Sequence, residues 1–238
     1  MKKEIQDFLG FFGANRPPAV PVAWDLRQLQ YAQISFGMAG EDALLRQIFK
    51  RRLAEGKPGR YVDIGCAAPV HISNTYLLYA LGWRGLGVDA NPEWAAPWAQ
   101  ARPGDVFENI GVGQVPGTAY WFRHPKNIGM SRIATQNTAP GPEFAATGVA
   151  VKIERLDSLF ARHFADGLID VLSIDIEGAE LDALRSNDWN RWRPGVIILE
   201  AHDFAFERPA ESPAVAFLCA QGYRLTDKIG ANVVLQPA

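Results

Sequence analysis

Cysteine is scarce: Cys66 and Cys219 are the only two among 238 residues. Two thiols give neither a disulfide framework nor a metal-ligand spacing, and they suit a reducing compartment, so a cytoplasmic protein is expected. Long apolar runs are also missing, and nothing approaches the ~20 apolar residues of a membrane span. The opening MKKEIQDFLGFFGANR has two lysines and a short apolar patch. Gln6, Asp7 and Arg16 interrupt that patch and no small-residue cleavage site follows, so no signal peptide is expected. Charge of one sign is lacking too. The formal net charge is −2, which leaves no broad electrostatic case for nucleic acid or an anionic membrane. What is present, 48% hydrophobic and 21% charged residues, is the composition of a soluble globular protein. The length suits one well-buried α/β domain.

Asp170 to Glu180, DVLSIDIEGAE, carries the strongest local signal. Val171-Leu172-Ser173-Ile174 is the short apolar run of a strand buried on both faces of a parallel sheet. Asp175 and Glu177 stand where that strand ends, Gly178 breaks it, and Leu181 and Leu184 resume at helical spacing. Open α/β sheets bind ligands at the carboxyl ends of their strands. The plain alternative is that one of these acids caps the following helix.

Before this stretch, Lys2–Phe12 reads as a short amphipathic helix, Pro17–Pro21 as an extended linker and Trp24–Gln33 as a second helix. Leu44, Leu45, Ile48, Phe49 and Leu53 then form one apolar helical face, with Glu41 and Asp42 in its first turn. Residues 1–57 are thus expected to be a helical cap and linker, and 58–238 one compact domain. Tyr61–Gly65 is a first strand, Ile72–Leu81 a helix with Ser73 or Asn74 near its start, and Arg84–Asp89 a second strand, together a βαβ unit. Pro92–Gln100 reads as a helix and Val106–Val112 as a third strand. Gly113–Gly148 is irregular, with a strand conceivable only at Tyr120–Phe122. A stretch of that kind is usually a functional or a disordered loop, and it is expected to lie over the acceptor site. Val149–Ile153 is strand-like, Leu156–Phe164 helical, Gly195–Glu200 a buried strand and Pro213–Ala220 a helix. Gly222–Leu225 with Asn232–Leu235 forms a closing antiparallel hairpin.

Four strands therefore carry an acid at or near their carboxyl ends: Asp63, Asp89, Asp175 and Glu200. Each alone has a structural excuse, but four along one sheet edge point to a ligand cleft. An acid ending the second strand of a βαβ unit suits ribose hydroxyls, which is the role read for Asp89. The first turn lacks the glycine-rich phosphate fingerprint, because Gly65 is followed by Cys66-Ala67-Ala68-Pro69. The ligand expected is a nucleoside without phosphates, and S-adenosylmethionine is the commonest cofactor of that kind. Asn109, near the end of the third strand, is a candidate neighbour of that cofactor.

Several segments also carry a resemblance. They are Tyr61-Val-Asp-Ile-Gly, Ser73-Asn74-Thr75, Gly82-Trp83-Arg84-Gly85, Asn91-Pro92, Leu172 to Glu180, and Arg193-Pro194 with Leu199-Glu200. Together they resemble the FkbM family of S-adenosylmethionine-dependent methyltransferases, from about Gly40 to the C-terminus. The run Asp175-Ile-Glu-Gly-Ala-Glu180 is the most specific part. The resemblance implies a Rossmann-like class I methyltransferase fold: a mostly parallel seven-stranded sheet, a C-terminal antiparallel hairpin and an N-terminal helical cap. It implies O-methylation of a hydroxyl on a sugar, glycan or secondary metabolite. Cofactor-binding positions carried over are Asp63, Gly65, Cys66, Ser73, Asn74, Asp89, Ala90, Asn91, Asn109 and Asp175. The chain departs from the pattern at Ala68-Pro69-Val70-His71, where relatives usually have a further glycine, and at Asp89, where many have glutamate.

An alcohol is a poor nucleophile until its proton leaves, so a base or a metal belongs near the methyl group. His202, just past Glu200, is the candidate base. Asp175 is the other residue expected at the reaction centre. Asp175 and Glu200 end neighbouring strands and form a candidate oxygen ligand pair for Mg²⁺; Glu200 serves equally to orient His202 or hold the cofactor. Cys66 reads as a small buried residue, since no base is identifiable beside it. His71, His124 and His163 read as solvated or capping. The partners expected are a small-molecule or glycan acceptor, with no nucleic acid and no membrane span, and a homo-oligomer is left open. Two rivals stand beside this reading: a catalytically silent methyltransferase-like binding module, and a metal-dependent hydrolase on a similar sheet.

Overall fold

A computed structural model describes residues 33–238, except 127 and 146. The elements expected over Lys2–Phe12 and Pro17–Pro21, and all but the last residue of Trp24–Gln33, lie outside the described residues. Residues 35–238 form one compact unit.

Alternation within the strands builds this unit in three layers. The main-sheet strands are β1 (Arg60–Ile64), β2 (Arg84–Val88), β3 (Val106–Glu108), β8 (Val171–Ile174), β9 (Val196–Glu200), β10 (Tyr223–Ile229) and β11 (Asn232–Pro237). Successive side chains of a strand point to opposite faces. Val62, Ile64, Leu172, Ile174, Ile197 and Leu199 therefore meet helices α5 (Leu156–His163), α6 (Glu180–Arg185) and α7 (Pro213–Ala220) on one face. Tyr61, Val171, Val196, Ile198 and Val234 pack on the other against Leu45 of α1 (Glu41–Ile48), Leu78 of α3 (Tyr76–Ala80), and Trp83. The helical face expected over 41–53 is broken at Phe49 into α1 and α2 (Lys50–Ala54). There the Phe49 ring turns edge-on to Trp83 at 4.9 Å.

The expected seven-stranded sheet is present, in the order β10-β11-β9-β8-β1-β2-β3. Six strands share one direction, and β11 runs antiparallel between β9 and β10. The chain winds outward in opposite directions from β1, through β2 and β3 on one side and through β8 and β9 on the other. In open α/β sheets such a switch point is where the ligand crevice lies, here at the carboxyl ends of β1 and β8.

Three local expectations need correction. The strand expected over Val106–Val112 is two: β3 stays in the main sheet, while β4 (Gly111–Val112) joins a second sheet. The supposedly structureless Gly113–Gly148 supplies β5 (Gly117–Phe122) and β6 (Arg132–Ala134). With β7 (Val149–Glu154) these complete a sheet ordered β4-β7-β5-β6. Its apolar side is made by Ala119, Trp121 and Val151, which pack against Ala90, Ile128 and Ile153. The helix expected from Ile72 begins only at Tyr76, because the Ser73 hydroxyl accepts from the Thr75 and Tyr76 N–H groups and holds the preceding turn open. Between β2 and β3, α4 (Ala95–Ala101) follows a short 3₁₀ turn at Pro92–Trp94.

Gly65 joins this scaffold to the crevice. It has φ of 76°, and a Cβ there would lie 1.7 Å from the Asp175 carbonyl oxygen. Only glycine permits both that conformation and that approach. Gly65→Ala is therefore expected to destabilise the fold by about 2–4 kcal/mol. Urea denaturation measures it, and an unchanged midpoint would contradict the close approach.

Candidate active site

The β8–β9 pairing sets Ile174 beside Leu199, so the next residue on each strand, Asp175 and Glu200, emerges at the same edge. Their carboxyl groups are hydrogen-bonded to each other. Glu177 turns back toward them from the left-handed conformation, with φ of 55°. One oxygen from each of these three acids lies within 4.8 Å of the others. Crowded like charges in a partly dry site disfavour ionisation. Asp175 is pushed up to about 8, chiefly by burial and then by Glu200. Burial also raises Glu200 and Glu177. At neutral pH the Asp175–Glu200 pair thus favours retaining one proton between the two carboxyl groups. His202 closes the cluster: its Nε2 is 2.9 Å from Glu200 Oε1, while 71% of its side chain stays exposed. Arg132 of β6 faces the same group, its charge countering the rise at Glu177.

The loop that presents Glu177 is fixed from the helix that follows. Glu180, buried at the start of α6, accepts the Ile176 and Gly178 N–H groups at 3.0 Å each. By position alone it is a first-turn acid of that helix. The clue available in the sequence was Gly178, whose demand for a left-handed turn leaves N–H groups that need an acceptor nearby. Two residues on, Asp182 Oδ2 accepts the Gln114 N–H at 2.9 Å and so tethers the second sheet to the same helical turn.

Across the crevice, half-buried Asp89 follows β2. Oδ2 accepts the Ala67 N–H and Oδ1 the Asn91 N–H, both at 2.8 Å. Burial raises its pKa to about 6. Asn109 donates from Nδ2 to the Asp89 carbonyl oxygen at 2.8 Å. Asn91 is 1% exposed, its Oδ1 accepts from the Glu93 N–H, and its Nδ2 has no partner among the described residues. Ala90 packs toward the second sheet. Asp63 lies behind the edge, buried, accepting from Thr75 Oγ1 at 2.6 Å and also bonded to Ser173. Asn74 bonds the Ser173 hydroxyl at 3.2 Å. Ser73 is inside the loop, and Cys66 is buried, with its thiol pushed up by burial and by Asp89 and Asp63. His163 stands apart, 2.8 Å from Glu108.

The first loop is held by one buried cation. Arg102, at 1% exposure, reaches Asp105, Tyr61 and Thr75 at 2.6–3.1 Å and approaches the Pro69 carbonyl and the Ser73 hydroxyl at 3.4 Å. Asp105 in turn accepts from the Tyr61 hydroxyl and the Gly85 N–H. These bonds tie β1, β2 and the loop preceding α3 into one rigid support, something no linear pattern announces.

With this geometry in place, comparison with known proteins supplies the family. The Methyltransferase FkbM domain matches residues 63–225, more than half of the chain, and the chain belongs to that family of S-adenosylmethionine-dependent methyltransferases. No curated protein matches it. Among solved structures, monomeric WbdD shows 15% identity and a TM-score of 0.45, over 91% of this chain and 45% of that one. The chain thus spans less than half the length of that protein. A TehB-like SAM-dependent methyltransferase from Corynebacterium glutamicum shows 13% identity and a TM-score of 0.39, over 100% of both chains. A 1,6-didemethyltoxoflavin-N1-methyltransferase from Burkholderia thailandensis shows 15% identity and a TM-score of 0.38, over 82% of this chain and 74% of that one. No helix among the described residues is long and apolar enough to cross a membrane.

The crowded acids make stability depend on pH with a definite sign. Folded, Asp175 holds its proton to about pH 8; unfolded, it releases it near ~4. Between those values the folded state binds more protons, so the contribution is complete below ~4 and is lost as pH rises toward 8. Because the group is partly exposed, the expected slope is about 1 kcal/mol per pH unit rather than the full ~1.4. Urea midpoints measured from pH 6 to 8 are expected to fall, and Asp175→Asn to flatten the trend. A wild-type midpoint that rises over this range would contradict the shared proton.

Proposed function

We propose that this chain transfers a methyl group from S-adenosylmethionine to a hydroxyl of a sugar, glycan or secondary metabolite. The observation that carries this reading is the His202–Glu200 contact of 2.9 Å beside the proton-holding Asp175. Nε2 is anchored on Glu200, which leaves Nδ1 of the exposed ring to accept the proton of an incoming hydroxyl. Glu200 then faces the imidazolium that forms and stabilises it. Asp175, still protonated, donates toward Glu200 and keeps that carboxylate oriented.

The residues around Asp89 fit a nucleoside. Each carboxylate oxygen already accepts one backbone N–H and keeps a lone pair for one hydroxyl of a ribose diol. The buried, unpartnered Asn91 Nδ2 beside it is a donor in need of an acceptor. Gly65, Cys66, Ser73, Asn74, Ala90 and Asn109 shape or fix the surrounding loops, with Asp63 behind them. The cofactor, when bound, supplies a methyl group on a cationic sulfonium, so much of the remaining catalytic task is positioning. The second sheet, carrying Arg132 on β6, is the wall assigned to the acceptor. It takes the place of the loop expected over Gly113–Gly148.

Asp89→Ala is expected to weaken binding of S-adenosylhomocysteine by about 10–100-fold in calorimetric titration. In the wild type the ionised carboxylate is the stronger acceptor, so affinity should fall as pH drops through about 6. Titration curves unmoved by that substitution, with the fold intact by circular dichroism, would contradict the assignment.

His202→Ala is expected to lower transfer of a radiolabelled methyl group to a panel of monosaccharides and phenols by about 10²-fold or more, leaving S-adenosylhomocysteine binding in place. Wild-type turnover in that variant would remove the base. A second reading rests on the three carboxylate oxygens within 4.8 Å of one another, a hard-cation geometry. If Mg²⁺ sits there it displaces the shared proton, and chelator abolishes turnover until Mg²⁺ is restored. Chelator-insensitive turnover leaves the proton in place and His202 as the base.

A further inference from the structure

We infer that Glu180 is a positioning residue for the reaction centre, acting through the backbone of residues 176–178. This rests on the reading that Asp175, Glu177 and Glu200 surround the reacting atoms. Glu177 and Gly178 both have positive φ, 55° and 103°. A left-handed conformation at a non-glycine residue persists only where its surroundings impose it. The amide before Glu177 and the amide after it both donate to one carboxylate oxygen, Glu180 Oε1, at 3.0 Å each. On the strand side the segment is anchored by the Asp175 N–H on the Ile64 carbonyl at 3.0 Å and by the close approach of Gly65. Glu177 is therefore clamped from both ends, and the clamp aims its side chain at Asp175 and Glu200 rather than outward.

The alternative role for Glu180, an acid at a helix start, does not account for its environment. The residue is 8% exposed and makes no ion pair among the described residues. A buried carboxylate without a cation is tolerable only when hydrogen bonds satisfy it. Those bonds come from the two amides that bracket Glu177, so carboxylate and loop stabilise each other. Glu180 also lies close enough for its charge to raise Asp175 and Glu200, which places it against the cluster.

Three variants of the full chain separate positioning from bulk stability. Glu180→Gln keeps an acceptor oxygen at the same reach, Glu180→Ala removes it, and Glu180→Asp keeps the charge but draws it back by one methylene. Amide hydrogen exchange at Ile176 and Gly178 is expected to accelerate by about 10²-fold in the Ala and Asp variants and to stay within about threefold of wild type in the Gln variant. With the monosaccharide and phenol panel as acceptors, kcat is expected to fall by about 30-fold or more in the Ala and Asp variants. Glutamine should restore it to within about threefold, while the dissociation constant of S-adenosylhomocysteine holds throughout. The inference is overturned if exchange at those amides is unaltered in a folded Ala or Asp variant. It is also overturned if the Gln variant behaves like Ala, or if cofactor affinity falls as far as kcat. Should Glu180→Ala fail to fold, Glu180→Asp carries the test. If the wild type methylates none of the panel, the function proposed above fails for those acceptors, and the exchange rates alone decide Glu180.

Discussion

Like charges crowd the carboxyl edge of the main sheet, and the structure is arranged around making that tolerable. Bringing β8 beside β9 delivers Asp175 and Glu200 to one place, and the turn after β8 adds Glu177. In a medium less polarisable than water, adjacent negative charges repel strongly enough that one of them must be quenched. Retaining a proton between Asp175 and Glu200 is one remedy, and the contact of Glu200 with His202 is another. Glu180 cannot take part in either remedy, and it is satisfied instead by backbone amides. This edge is held together by protons and peptide dipoles, with Arg132 and His202 as the basic groups facing it.

The other half of the crevice meets a similar problem with a different solution. Tyr61, Asp63 and Asp105 are buried near one another on the β1–β2 side, and a single guanidinium, Arg102, lies among them. Its planar donors reach several acceptors at once, which a lysine ammonium cannot do in fixed geometry. Arg102 also lies 4.0 Å from the centre of the Trp98 ring, so α4 and the first loop are fastened through the same side chain. A loop with a single glycine thereby holds its shape without the backbone freedom that further glycines would give. The two sides of the crevice differ in consequence: a rigid support beneath Asp89, and a titratable cluster around Asp175.

How much of this was legible in the sequence follows from the range of the interactions. β1, β2, β8 and β9 showed as apolar runs bounded by turns, and α7 was delimited by its own proline and helical spacing. The acids at the strand ends were visible because each directly follows a buried run. The second sheet was not, because β4 and β6 are only two and three residues long. Its pairings, Gly111 with Ile153 and Tyr120 with Ala150, join segments far apart in the chain. The apolar pattern from Val106 to Val112 looked continuous, yet the chain changes sheets at Asn109–Ile110. Asp63 looked like its three counterparts, but it lies two residues short of their level, opposite Gly87 and Ser173, and is buried there, bonded to Thr75. Glu180 looked like an ordinary helix start, since its task depends on backbone angles that no side-chain pattern encodes.

The order of the main sheet has a consequence for how the chain is made. Strand β10 touches the sheet only through β11, which follows it in sequence and lies between it and β9. While the polypeptide is being synthesised, the apolar edge of β9 has no neighbour on that side until β11 has left the ribosome. β10, already made, must wait beside the nascent body for its partner. Such delayed, non-local pairing slows folding and leaves an open edge exposed to other chains. The charged residues of β10, Arg224, Asp227 and Lys228, sit on the strand that becomes the outer edge once closure is complete. The sequence thus guards against intermolecular strand pairing where the finished molecule needs it, while the apolar β9 edge has no such guard until β11 pairs with it.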